Sequence, residues 1–259
     1  MKEISLYEDL STPVHQLGPL SKLFYIITIL VLPVIWGSKW VTFIGILLSI
    51  VILISGKVLR KSLPIMSCSL LIILTVVVIQ GLFRADNKTP VWQVGILIFY
   101  KEGLMVALGI GLNIIHLLLA FSVLILTTKP SDLVEVLVQK GLSPKIGYVL
   151  GSVFQIIPQM SATMETIIDA QRSRGMETEG NILTRIKAFI PLIEPVVMNS
   201  LIATRERAIA LEVRGFNCSN KKSFLKSYEP TKGDHLVYII LTSILILSVI
   251  GRILLWLEL

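Results

Sequence analysis

The chain has 259 residues, 54% of them hydrophobic and only 16% charged, and its mean hydropathy is +0.80. Those values predict an all-α polytopic membrane protein rather than a soluble domain. The formal charge of +7 comes without a basic stripe interleaved with aromatics, which argues against a nucleic-acid partner.

The N-terminal stretch Met1 to Leu20 carries Glu3, Glu8 and Asp9 against Lys2, the wrong sign for a signal-peptide head, so it reads as a retained arm. Apolar windows then mark the spans: Leu23 to Ser38, Trp40 to Gly56, Ser62 to Phe83, Gly103 to Thr128, and His235 to Trp256. The first two are short, near the lower limit of about 17 residues for a crossing. Trp36 and Trp40 beside the turn between them suit an interfacial belt. Lys57, Arg60 and Lys61 crowd the next turn, which the positive-inside rule makes cytoplasmic. Five spans then place the N-terminus inside, Arg84 to Glu102 outside as a loop, and the region from Lys129 to Asp234 inside.

Three parts follow: residues 1–128 with an arm and four spans, 129–234 as a coupling domain, and 235–259 as a last span. The middle part carries 14 Lys/Arg and 11 Asp/Glu, most of the charge in the protein. Ser131 is a candidate N-cap for a short helix from Leu133 to Gln139, which Gly141-Leu-Ser-Pro144 ends. A helix from Pro144 to Arg174 is too polar for a lipid-facing span, and Pro158 is expected to kink it or divide it in two. Ile157, Met160, Met164, Ile167 and Ile168 make one face apolar, with Glu165 and Asp169 opposite. A second helix is expected over Asn181 to Phe189 and a third from Pro195 to Arg214, separated by Ile190-Pro191 and Glu194-Pro195.

Two similar stretches stand out in this part: Ala170-Gln-Arg-Ser-Arg174-Gly175-Met176 and Ala210-Leu-Glu-Val-Arg214-Gly215-Phe216. In both, a glycine sits where a helical pattern stops, the usual place for positive φ. Each arginine therefore lies at the negative end of a helix macrodipole.

Three classes of function are open to this pattern: an enzyme, a secondary transporter and a scaffold. Asp169, Arg172, Arg174, Glu177 and Glu179 cluster, but no paired-aspartate metal motif, P-loop or nucleophile elbow accompanies them. Cys68, Cys218, His15, His116 and His235 form no metal-ligand spacing, and the two cysteines read as free thiols. A stand-alone secondary transporter or channel, the alternative reading, would need ionisable groups in repeated, broken spans. The spans hold Gln80, Asn113 and His116 and no carboxylate, and Arg252 lies close enough to the end of the last span to snorkel. The third reading is a membrane scaffold whose two arginines each make a bidentate contact with a partner of two similar subunits.

The region resembles the transmembrane T component of energy-coupling factor transporters, a branch of the ABC transporters. The resemblance runs from Thr127-Thr-Lys-Pro-Ser-Asp-Leu133 through Gly141-Leu-Ser-Pro144 and Ile156-Ile-Pro158. It then takes in Ala170-Gln-Arg-Ser-Arg-Gly175 and closes on Val213-Arg-Gly-Phe216. Leu17-Gly-Pro19 with Lys22 is similar to the Leu-Asp-Pro opening of that family, with Gly18 in place of Asp. The Ala-Arg-Gly of the family becomes Ser173-Arg-Gly and Val213-Arg-Gly.

The resemblance implies a non-catalytic subunit in the plasma membrane, with N-terminus and coupling domain cytoplasmic. It implies binding to two ABC ATPases, of one type or two, and to a membrane S component that carries a vitamin or transition metal. ATP would be hydrolysed by those partners, with no cofactor or metal bound by this chain. Ala170, Arg174, Gly175, Ala210, Arg214 and Gly215 would form the ATPase contacts. Ile157, Pro158, Met160, Met164 and Ile168 would pack the coupling helices together or against the S component.

Overall fold

A computed structural model describes residues 7, 10, 12–85, 87–94, 97–175, 182–218, 223, 224 and 228–257. Side chains at 92–94, 97, 182–191, 256 and 257 lie outside that description, as do Lys2, Glu3, Glu8, Asp9, Asp86, Met176, Glu177, Glu179 and Asn181. The described elements are α1 (Pro13–Gln16), α2 (Pro19–Trp36), α3 (Lys39–Ser55), α4 (Leu59–Phe83), β1 (Pro90–Val94), β2 (Leu97–Tyr100), α5 (Lys101–Thr127), α6 (Pro130–Gln139), α7 (Pro144–Ser173), α8 (Ile182–Val213) and α9 (Lys232–Leu257). The chain divides into two compact units: residues 137–227 with 1–4, and residues 5–136 with 228–259.

The larger unit is a bundle of apolar helices. Four of them, α2, α4, α5 and α9, are long and apolar enough to cross a membrane, and α3 is a shorter apolar helix of 17 residues. The core lies where the middle of α2 (Tyr25, Ile26, Ile29) meets α3 (Ile46, Leu53) and the second half of α5 (Leu119, Ala120, Val123, Leu126), with Lys22 beside Thr127, Tyr25 beside Ser49, and His116 beside both Ile29 and Gly45. That pattern makes α3 and α5 antiparallel to α2. In contrast, α9 runs parallel to α2: Phe24 packs on Tyr238 at one level, and the Trp36 indole N–H donates to Ser248 Oγ at 2.6 Å near the other end.

Several buried polar groups in the bundle are tied to the backbone or to each other. Tyr25 Oη and Ser49 Oγ lie 2.8 Å apart, and Ser49 donates to the Gly45 carbonyl. His116 is 3% exposed, and its Nε2 donates to the Ile29 carbonyl at 2.9 Å. This histidine therefore ties α5 to α2, as a lone histidine in a span most often does.

Between α4 and α5 the expected loop contains an antiparallel hairpin with β1 paired to β2, Gln93 opposite Ile98. Glu102 closes its base, accepting from the Lys88 and Thr89 amides and from the Thr89 hydroxyl at 2.7 Å. Alternation within Val91-Trp-Gln-Val94 and Leu97-Ile-Phe-Tyr100 is brief, so the hairpin is easily taken for loop from sequence.

Three local expectations are corrected. Pro158 does not divide α7, which is continuous from Pro144 to Ser173. The two helices expected over 181–189 and 195–214 are one helix, α8. Pro191 and Pro195 are four residues apart, so their missing N–H groups fall on one side and leave the rest of the ladder intact. Finally, α6 begins at Pro130, and the Lys129 carbonyl accepts from Asp132 and Leu133. Proline at the first helical position sets that start, so Ser131 lies inside the helix rather than capping it.

Helices α4 and α5 approach closely at Gly103. A Cβ on Gly103 would overlap the carbonyl oxygen of Gln80 and stand 2.9 Å from Gly81 Cα. Gly103→Val is expected to strain this contact by about 1–3 kcal/mol and lower the thermal unfolding midpoint in detergent. Gly151→Ala, which points a methyl into open space, is expected not to lower it. Fluorescence-monitored unfolding of both variants makes the comparison.

Candidate functional site

The smaller unit is built on α7 and α8. Pro144 at the start of α7 has no N–H to satisfy, and the Ser143 carbonyl accepts from Gly147. Val138 packs so closely on Gly147 that a side chain there would overlap it.

Both Arg-Gly stretches terminate their helices as left-handed caps. Gly175 has φ +86° and Gly215 has φ +69°. The Gly175 amide donates to Arg172 O at 2.9 Å. The Gly215 and Phe216 amides donate to Glu212 O and Leu211 O, each at 2.9 Å. The pair at Gly215 and Phe216 is the double closure of a Schellman end, which satisfies carbonyls the helix leaves free. Arg174 and Arg214 follow the last helical residues, Ser173 and Val213, and both are exposed, as are Ala170 and Ala210. Arg172 lies 3.9 Å from Asp169 on the same exposed turn. No ion pair to Arg174 or Arg214 occurs among the described residues.

The ends stand far apart. Phe216 packs against Tyr148 in the first turns of α7, with ring centroids 5.3 Å apart. Arg174 lies 26 residues beyond Tyr148, roughly 39 Å along a helix rising 1.5 Å per residue. The two arginine-bearing ends are thus brought to opposite ends of α7.

Midway, α7 and α8 meet over a cleft of about 160 Å³ lined by Ile156, Gln159, Met160 and Thr163 on one side and Val196, Asn199, Ser200, Ala203, Thr204 and Arg207 on the other. Arg207 Nη2 donates to Gln159 Oε1 at 2.6 Å across it. Of the apolar stripe, Met160 reaches this cleft at 37% exposure, while Ile157 is 43% exposed. Pro158 is exposed, and Met164 and Ile168 are half-buried. The Gln159–Arg207 tie and the Tyr148–Phe216 contact are not visible in the apolar periodicity, because each depends on which residues face each other across two helices. A signal for the second existed: the residue after a capping glycine is often an apolar anchor.

Among the described residues no group of three or more His, Cys, Asp or Glu side chains is placed to hold a metal ion. The site offers charge and shape: two cations on rigid helix ends and a polar-lined crossing between them.

Replacing either capping glycine should unsettle the arginine it holds. Left-handed backbone costs a non-glycine residue about 1–2 kcal/mol, and at position 215 a Cβ would also meet Cys218 Sγ at 3.1 Å. Gly175→Val and Gly215→Val are expected to raise amide exchange in the last turn of α7 and of α8 respectively, about ten-fold. Exchange measured by mass spectrometry on the solubilised protein reads this directly.

Comparison with known proteins shows the family. Residues 10–224 match the family model CbiQ, described as cobalt transport protein. The energy-coupling factor transporter transmembrane protein EcfT of Brevibacillus brevis is 31% identical over 92% of each chain. The protein of the same name from Clostridium kluyveri is 25% identical over 93% of each chain. That of Staphylococcus aureus is 31% identical over 58% of each. With its apolar helices and a match over most of its length, the chain is a membrane protein that belongs to the CbiQ/EcfT family, the transmembrane T components of energy-coupling factor transporters.

Proposed function

We propose that this chain is the coupling subunit of its transporter, carrying the motion of partner ATPases to a substrate-binding S component. The observation that carries this reading is the pair of exposed arginines, Arg174 and Arg214, on glycine-capped helix ends at opposite ends of α7. A separation of roughly 39 Å along the helix is too great for one small pocket. It suits a partner of two similar subunits, each offering a carboxylate or backbone acceptors in a groove to a planar guanidinium. The partners would be two ABC ATPases, which supply the nucleotide chemistry, and ATP is their ligand rather than a cofactor of this chain.

On this reading the unit holding α7 and α8 is cytoplasmic, and the cargo is a vitamin or a transition metal chosen by the S component. The hydrogen bond from Arg207 to Gln159 joins α7 and α8 at their crossing, so a displacement at either arginine pivots one helix against the other there. Met160 helps fill that crossing, and the exposed Ile157 and Pro158 are available to the S component.

Loss of one member of a buried, hydrogen-bonded charge pair at an interface costs about 2–5 kcal/mol, at least a roughly thirty-fold loss of affinity. Arg174→Ala combined with Arg214→Ala is therefore expected to abolish co-purification with the ATPases while membrane insertion is unchanged. Normal ATPase capture by the double variant would remove the basis of the reading.

A further inference from the structure

Among the described residues the chain leaves the membrane unit between Val136 and Leu137 and is back in it by Tyr228. Both passages are tied to the same place, the first turn of α2.

At the exit, α5 ends at Thr127, whose carbonyl is among those a helix leaves without an internal partner. Lys22, a lysine only 4% exposed, donates to it from Nζ at 2.7 Å. A buried ammonium at the negative end of a helix is matched in sign. Three residues later α6 begins, and it runs from Pro130 to Gln139.

At the return, the anchor is Asp234, 1% exposed. Its Oδ2 accepts from the Thr231 amide at 2.9 Å, the Thr231 hydroxyl at 2.6 Å and the Tyr228 hydroxyl at 3.1 Å. Its Oδ1 accepts from the Gly18 amide at 2.8 Å and the Ser21 hydroxyl at 2.5 Å. One carboxylate thus serves the N-termini of α9 and α2 together, where the helix dipoles favour an anion. The absence of a side chain at Gly18 is required, because a Cβ there would overlap the Tyr228 phenol oxygen. Burial, with the nearby Asp234 charge second, pushes the Tyr228 phenol above its ordinary range, so it stays a donor.

We propose that the turn from Gly18 to Lys22 is the node through which displacement of the arginine-bearing unit enters the membrane helices, with Ser21, Lys22 and Asp234 as its positioning residues. The proposal rests on the coupling reading above. The exit is held by a cation and the return by an anion, and both attach within one helical turn. A displacement that reaches Thr127 or Asp234 is therefore passed to α2 through these contacts. Since α2 also supplies one wall of the core, its tilt is felt by α3 and α5.

The test uses the whole complex, purified with its own ATPases and placed in nanodiscs, with Cys68 and Cys218, both exposed and outside any disulfide, changed to Ser. One spin-label pair, at Thr166→Cys and Glu206→Cys, reports on α7 and α8. A second, at Val34→Cys and Phe83→Cys, reports on α2 against α4; all four positions are exposed. Distances by pulsed electron resonance are compared with ADP and with ATP plus vanadate.

Without anchor substitutions both pairs are expected to shift. In Ser21→Ala/Tyr228→Phe, and in Lys22→Met, the 166–206 shift is expected to persist while the 34–83 shift falls to less than a third. A full 34–83 shift in these variants would overturn the proposal. So would a parallel loss of both shifts, since that is the mark of general misfolding. Should Lys22→Met fail to accumulate, the milder double variant decides. If the 166–206 pair stays still before any anchor residue is changed, the coupling reading itself falls and the node falls with it.

Discussion

A single buried carboxylate, Asp234, organises the membrane unit. Taking an ion out of water costs several kcal/mol even after relaxation, so such a group persists only where its surroundings are matched to it. Here five donors and two helix N-termini surround it, and Lys22 on the adjacent turn meets the C-terminal end of α5 with the opposite charge. The arrangement makes α9 parallel to α2 and places the end of α5 beside both. The polar ends of three helices are consequently gathered at one end of the bundle, leaving their apolar lengths to pack or to face lipid.

The smaller unit follows a different logic, because its two helices are long and expose large apolar side chains such as Val149, Phe154, Met198 and Leu201 beside their polar ones. Their geometry depends on a few contacts: Arg207 with Gln159 in the middle, Phe216 with Tyr148 at one end, and Val138 against Gly147 beside it. The left-handed glycines at 175 and 215 stop each helix abruptly, and so fix where each arginine emerges. Stiffness matters more than affinity in such a design. A guanidinium on a frayed end would bind with a loss of entropy and transmit little displacement.

Much of this was legible in the chain itself. Runs of apolar residues about twenty long marked α2, α4, α5 and α9, because a backbone in lipid must satisfy its own hydrogen bonds and a helix does so within one segment. The Arg-Gly stops were legible for a similarly local reason, since positive φ is a property of the glycine residue. The hairpin over β1 and β2 was not, and neither was the continuity of α8 through Pro191 and Pro195. For the hairpin, pairing with a neighbour decides; for α8, proline's own preference is contrary, and one helix absorbs both prolines because their missing N–H groups share a side.

The sequence by itself thus determined the class of protein, the main helices and the identity of the two capped arginine ends, all of which are short-range consequences of side-chain and backbone chemistry. Tertiary structure alone decided that Asp234 reaches Gly18 and Ser21, more than two hundred residues away, and that Lys22 reaches Thr127. It alone set the two arginine ends at opposite ends of α7. These are meetings between distant segments, and the pattern along one helix records which face is apolar but not which partner that face or its polar residues will find.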